Sequence, residues 1–484
     1  MRRREFLKTA AMGALAWAAP ASFGADKPKR PNFMFIIADD CTYRDIACYG
    51  GQAHTPNIDR LAREGMRFEN CFQAAPMCSP TRHNIYTGIY PVKSGAYPNH
   101  THVNPGIRSV VQYLKPLGYR VALNGKRHIG PAAAFPFEYG GKSNNPDMAF
   151  ADELIGQCAR SDTPFCIFQC SNEPHSPWNK GDPSRYDPAA LKLPPYFVDT
   201  EDTRENMTRY LAEITYYDGQ VGQSLALLEK HNVADNTLVI VVSEQGSSFP
   251  FGKWTCYDTG LQSAFIARWP GRIKPGTVSD ALIEYVDVLP TYLEAAGAPA
   301  PAILDGKSLL PVLLGKTQKH KKYVYGEMTT RGINNGSDYF GIRSIRSLRF
   351  KYIWNFTPQV TFRNACVNSS IFRSWQAKAA NDADAAEKVR RYQHRPGEEL
   401  YDVAKDPYEW NNLADDPKYA QVKAQLRTQL LEWMEHTGDK GQQTELEAKE
   451  HQGSGRRKKP NPAAGKKQKK PGDRRARKKA QKSS

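Results

Sequence analysis

The sequence predicts an α/β protein: a large domain with a mostly parallel central sheet flanked by helices, then a smaller C-terminal α+β domain with an antiparallel sheet. Three observations carry that prediction. Four strand-length runs (32–38, 118–123, 164–170 and 237–242) are predominantly apolar without alternation, as strands buried on both faces read. Between the last two, residues 205–229 repeat Met207, Leu211, Ile214, Tyr217, Val221, Leu225 and Leu228 at helical spacing, a stripe read as core. From about residue 320 the pattern changes. Charged and apolar residues interleave through Arg343–Trp354, which suits antiparallel strands with one charged face.

Residues 1–25 read as a targeting segment. Arg2, Arg3 and Arg4 precede Phe6-Leu7-Lys8, a short apolar run from Ala10 to Ala19 and a mostly small-residue end. The Arg-Arg-x-Phe-Leu-Lys order reads as a twin-arginine signal and predicts an exported protein, periplasmic or extracellular, with an uncleaved membrane anchor as the alternative. No other stretch is long and apolar enough to cross a membrane. The formal charge of +17 is carried by the two ends. Residues 451–484 hold fourteen Lys and Arg against one acid, and residues 1–25 hold four against one. The body, 26–450, is therefore nearly neutral, which excludes nucleic acid as its partner. Nine scattered cysteines form no disulfide framework and no zinc spacing, so they are expected as mostly free, buried thiols.

Asp39-Asp40 ends the first strand, where open α/β sheets bind ligands, and paired carboxylates suit a hard cation. A helix cap plus a solvated neighbour is the alternative. Thr55-Pro56 reads as an N-cap with proline at the first helical position. Met77-Cys78-Ser79-Pro80-Thr81-Arg82 is a compact turn into a helix. A nucleophile there faces backbone N–H groups, and Arg82 adds a fixed cation, an environment for an anion. Read alone, Cys78 is equally a small buried residue. Lys126 and His128 follow the second strand in a glycine-flanked loop, and His175 follows the third between prolines. Each is read as facing a bound anion or as plain loop. Glu244-Gln245 ends the fourth strand and Lys253 follows. Residues 281–298 read as a helix packed on the sheet, and 304–310 as the end of the large domain. The expected domains are 26–315, catalytic, and 316–437, containing strand 398–402 and a helix near 419–435. Residues 438–484, polar and then Lys/Arg-rich, read as a disordered basic tail whose partner is acidic polysaccharide or a cell surface, or solvent alone.

Cys-x-Pro-x-Arg followed by Thr87-Gly88 resembles the signature of the type I, formylglycine-dependent sulfatases of the alkaline phosphatase superfamily. Gly-Lys-x-His, Pro-His-x-Pro and the Asp-Asp pair recur in that family's order. The resemblance implies an alkaline-phosphatase-like fold and a Cys78 oxidised to formylglycine by a sulfatase-maturing enzyme. It places Ca²⁺, or less favourably Mg²⁺, on Asp39, Asp40, Glu244, Gln245 and the modified Cys78. It assigns Lys126, His175 and Lys253 to substrate binding, with Arg82, Lys126 and Lys253 neutralising sulfate. His175 then protonates the leaving group and His128 deprotonates the hydrated aldehyde. Two departures stand out. Thr81 replaces the usual serine, and Glu244-Gln245 replaces Asp followed by Asn or His, each one methylene longer. Gly-Lys-Arg-His-Ile-Gly-Pro with Phe135-Pro136-Phe137, Pro250-Phe251 and Pro195-Tyr196-Phe197-Val198 resemble the heparan N-sulfatase (N-sulfoglucosamine sulfohydrolase) group. The implied substrate is a sulfated saccharide of the N-sulfoglucosamine type or a related polysaccharide. His100 and His102 are candidates for the pocket wall. The rival functions are a phosphonate or phosphodiester hydrolase of the same superfamily, a non-catalytic saccharide-binding relative, and a polyanion anchor acting through the tail.

Overall fold

The computed structural model describes residues 29–452. The expected signal segment, and the basic run beyond 452, lie outside the described residues.

The first sheet has nine strands: β1 Asn32–Ile37, β2 Met66–Phe72, β3 Arg120–Gly125, β4 Glu138–Gly140, β5 Phe165–Cys170, β6 Thr237–Val242, β7 Gln262–Arg268, β8 Thr277–Ser279 and β9 Ile283–Glu284. Their order is β4-β3-β5-β1-β6-β7-β2-β8, with β9 also on β2. The four apolar runs of the sequence are the adjacent parallel strands β3, β5, β1 and β6. Every residue of β1, β5 and β6 is buried, which explains why these runs lack alternation. The sheet is mostly parallel; β7 runs against β6 and β2.

Side chains of β1 alternate between two cores. Phe33, Phe35 and Ile37 enter one, packing with Val288, Leu289 and Tyr292 of the helix Val288–Ala295. Met34 and Ile36 enter the other, together with the whole predicted stripe from Met207 to Leu228. That stripe belongs to a helix longer than expected, Glu201–Lys230, whose start is fixed by the Thr200 side chain accepting from the Thr203 N–H. The helix Pro56–Glu64 has Thr55 at its N-cap, but the Thr55 hydroxyl donates to Asp59 instead of capping. Asp218 takes the free N–H groups of Asn57 and Ile58 in its place.

The second sheet is antiparallel: β10 Val324–Met328, β11 Ile342–Arg346, β12 Phe350–Asn355 and β13 Glu398–Asp402. Ile345, Tyr352 and Leu400 pack against Leu426, Leu430 and Trp433 of the helix Ala420–Thr437.

Two expectations fail locally. Of 281–298 only Val288–Ala295 is α-helical, because Ile283 and Glu284 pair with Cys71 and Phe72 and a 3-10 turn intervenes. Disorder does not begin at 438. Residues 442–447 form a helix, Glu445 is fully buried, and Gln452 bridges Thr101. The polar composition hid the fact that these side chains find partners. Glu445 accepts from the Thr330 N–H, and Tyr97 donates to the Thr444 carbonyl. All nine cysteines are free, and all but Cys48 are buried.

Candidate active site

The predicted residues converge at the carboxyl ends of the four adjacent parallel strands. Asp39 and Asp40 follow β1, Lys126 and His128 follow β3, His175 follows β5, and Glu244 and Gln245 follow β6. Asp40 and Glu244 both take the left-handed conformation, each at φ 62°, turning the chain at the strand ends. Gly125 sits at φ 103°, and any Cβ there would lie 2.1 Å from the Cys170 carbonyl oxygen. That accounts for the glycine before Lys126.

Cys78 opens the helix Cys78–Thr87, all ten residues of which are buried. Its Sγ lies 3.1 Å from His128 Nδ1, and His128 Nε2 shares a 2.8 Å hydrogen bond with His100 Nδ1. Burial pushes the Cys78 thiol up to about 11, against the pull of Lys253. At neutral pH this is a thiol, not the thiolate that cysteine nucleophiles need. Thr81 donates its hydroxyl to the Ala75 carbonyl at 2.7 Å, so the group it shares with serine is the group in use.

At the base of the cleft lies a largely buried charge cluster. Arg82 Nε meets Glu244 Oε1 at 3.0 Å. Lys126 pairs with Asp39 Oδ2, and Lys253 Nζ donates to Asp40 at 2.7 and 2.8 Å. Gln245 Nε2 and the Ser248 hydroxyl also donate to Asp40, at 2.6 and 2.9 Å. Asp40 is held below its ordinary range: burial works to raise it, and Lys253 and His175 outweigh that. Glu244 is raised by burial despite Arg82. Burial, then Lys253, pull Lys126 down to about 7, while Glu244 works to keep it charged. His175 Nε2 stands 3.6 Å from Asp40 Oδ2 and its Nδ1 bonds the Ser176 carbonyl at 2.7 Å. Asp40 favours its charged form, but burial, Lys253 and Lys126 prevail and lower it to about 4. Burial, then Lys126, hold His128 well below its ordinary value.

Asp39, Asp40 and Glu244 each bring an oxygen within 4.8 Å of the others. Glu244 Oε2 and Gln245 Oε1 are buried acceptors with no hydrogen-bond partner. Orphaned buried oxygens beside three gathered carboxylates fit a hard divalent cation. The extra methylene of Glu244 does not take it out of reach. The Cys78 thiol stands outside that gathered group and against His128.

Above the cluster opens a cleft of about 890 Å³. Cys78, Lys126, His128, His175 and Lys253 line it, while Asp39, Asp40, Arg82, Glu244 and Gln245 form the layer beneath.

Residues 31–298 of this chain match the sulfatase family. The chain belongs to the sulfatase family. Residues 246–362 also match the family described as N-sulphoglucosamine sulphohydrolase, C-terminal. An ulvan-active sulfatase of Formosa agariphila is 37% identical, across 85% of this chain and 81% of its own. Human N-sulphoglucosamine sulphohydrolase is 26% identical, across 86% and 92%. A solved structure in complex with its substrate D-glucosamine-2-N,6-O-disulfate superposes with a TM-score of 0.66 at 20% identity, covering 85% of this chain and 99% of its own. A 2-O glycosaminoglycan sulfatase gives 0.63 at 22%, covering 85% and 93%. This sulfatase is therefore a hydrolase of sulfate esters, in a family that generally works with formylglycine and a divalent metal.

The sulfatase motifs did not reveal every site residue. His100 does line the cleft, against His128, whereas His102 packs beside Gly130. Ser248 on Asp40, and Asn99, Asn144, Asn172 and Asn334 around the cleft, went unread. They carry no periodic or spacing signal; the fold alone brings them together.

Proposed function

We propose that this sulfatase removes sulfate from a sulfated saccharide, using a formylglycine made from Cys78 and Ca²⁺ on Asp39, Asp40, Glu244 and Gln245. The observation that carries the reading is Cys78 itself. It is a protonated thiol at a helix start, facing His128 above a buried cluster of paired charges, where thiol chemistry has no support. When present, the formylglycine supplies an oxygen nucleophile as its hydrated aldehyde, and the metal supplies positive charge to the sulfate oxygens.

The chain's own residues do the rest. Lys126 and Lys253 reach the cleft from a buried layer, so their charges act with little solvent screening on an anion above them. Arg82, fixed by Glu244 and the carbonyls of Ala38 and Lys126, holds its cation in the buried layer one helical turn beyond residue 78. His128 presents a ring nitrogen at the residue 78 side chain, placed to take a proton there, and His100 fixes its orientation. His175, its Nδ1–H tied to the Ser176 carbonyl, aims Nε2 at the cleft floor; once protonated there, it is placed to hand that proton to a leaving oxygen or nitrogen. The asparagines around the cleft offer paired donors and acceptors of the kind that recognise sugar hydroxyls.

Both named relatives act on sulfated saccharides by their descriptions, ulvan in one and N-sulphoglucosamine in the other. The Arg-Arg-x-Phe-Leu-Lys order near the amino terminus supports export to where such polymers are met. The decisive measurement is peptide mass spectrometry of protein from its native host. A Cys78 peptide lighter than its thiol form, with sulfate release from N-sulfated glucosamine or ulvan oligosaccharides, supports the reading. An intact thiol in active enzyme overturns it.

A further inference from the structure

Outside the catalytic cleft, Arg395 is an anomaly. It is 2% exposed, and its Nε, Nη1 and Nη2 make no hydrogen bond. Its guanidinium lies over the Tyr257 ring at 4.7 Å and the Phe362 ring at 4.4 Å. Aromatic faces thus take up the flat sides of the cation, leaving the in-plane N–H edges with five donors and no acceptor. A buried cation in that condition is costly unless an acceptor completes it.

Arg395 lines a cleft of about 390 Å³ that shares no residue with the catalytic one. The other charges there are accounted for. Arg391 donates to the carbonyls of Trp410 and Glu409 and to the Tyr401 hydroxyl. Arg390, at the rim, pairs with Glu387 at 2.6 Å. The one carboxylate, Glu399, is consumed elsewhere: Tyr257 and Tyr401 donate to Oε2, and Asn355 to Oε1. It forms no ion pair with Arg395, so Arg391 and Arg395 leave the pocket net positive after Glu399 is counted.

We propose that this pocket is a second anion site, in which Arg395 receives an oxyanion, a sulfate or carboxylate group. Two of the chain segments that line the catalytic cleft also reach Arg395. Trp254 and Ala365 line the catalytic cleft, and Tyr257 and Phe362, each three residues away along the chain, hold Arg395. Two sources supply the same chemistry: an anionic substituent of the sugar chain, and free inorganic sulfate, the product of the family's reaction.

The test is calorimetric titration of the full chain with sodium sulfate, against sodium chloride at matched ionic strength, for wild type, Arg395→Gln and Arg395→Lys. The expected result is a sulfate-binding event weakened at least about tenfold in Arg395→Gln and partly kept in Arg395→Lys. Hydrolysis of a small aryl sulfate stays within about twofold, which separates this site from the catalytic reading. A raised KM confined to sulfated oligosaccharides assigns the anion to the sugar chain. Loss of a sulfate effect on the aryl sulfatase rate assigns it to the free ion. Should Arg395→Gln not fold, selenate-soaked wild-type crystals decide, through anomalous density beside Arg395. Unchanged isotherms in folded variants, or selenate confined to the catalytic cleft, overturn the proposal.

Discussion

At the scale of single residues, the catalytic cluster is a set of ion pairs that each answer for one another. Lys253 holds Asp40 through two contacts and faces the cleft. Lys253→Ala therefore removes a cation from the sulfate and leaves a buried carboxylate without its partner. We expect kcat on an aryl sulfate to fall on the order of 10²–10³-fold, the usual effect of removing one fixed charge donor. Steady-state kinetics with a thermal melt checks it; a change in KM alone would count against a transition-state role. Gln245 gives a second test. Its amide nitrogen faces Asp39 and Asp40 while its oxygen is orphaned, so cation binding requires the amide to turn over. Gln245→Ala should weaken Ca²⁺ binding tenfold or more by calorimetry, on the order of what losing a metal-site contact costs. Chelation of the wild type should lower its melting temperature, restored by Ca²⁺. The sequence made the charged members of this cluster legible, because strand ends and glycine loops mark where they fall. It could not show that Glu244 still reaches Asp39 and Asp40, since reach depends on the left-handed turn at residue 244.

At the scale of elements, the sheet's central strands were readable because burial on both faces removes alternation. Strand β2 was not, since Arg67, Glu69 and Asn70 interrupt it and only partners on both edges make it a strand. Strand β10 shows how the two sheets are coupled. Glu327 donates its N–H to the Ala74 carbonyl, in the loop before the Cys78 helix, and accepts from the Val92 N–H at 2.8 Å. Burial pushes Glu327 up to about 8, with Arg343 opposing. The folded protein therefore holds a proton that the unfolded chain releases near the ordinary glutamate value. Stability from this group is present below that value and is lost as pH rises toward 8. Glu327→Gln keeps the Val92 bond and abolishes the titration. It should match wild type at pH 5 and exceed it by about 2 kcal/mol at pH 8 in urea unfolding. Equal stabilities at both pH values would refute the assignment.

At the scale of the whole molecule, the last described segment turns out to serve the first motif. His451 accepts from the Thr101 hydroxyl and the His102 N–H, and Gln452 donates to the Asn99 carbonyl. Together they pin the loop that carries His100 onto His128. A chain ending at 437, compared with one ending at 452, should melt a few degrees lower and lose kcat more than KM, as His128 loses its orienting partner. Nothing in the polar sequence 438–452 announced this, because its partners lie far along the chain, from 115 residues away at Thr330 to 353 at Asn99. The burial of Cys78, 3% exposed, has its own consequence. The Cys78 loop is tied to Trp254, whose backbone N–H donates to the Pro76 carbonyl, and β1 pairs with β6 only after the whole chain from 38 to 236 has intervened. We infer that a modifying enzyme would require an extended, accessible peptide, which the finished fold does not offer at Cys78. The oxidation proposed for Cys78 is therefore a matter of timing: it belongs to the interval between synthesis of residue 78 and docking of the 237–254 region. Purified unmodified protein offered to a maturing enzyme should be converted when unfolded and refused when native, so one missed encounter leaves a correctly folded but permanently silent molecule.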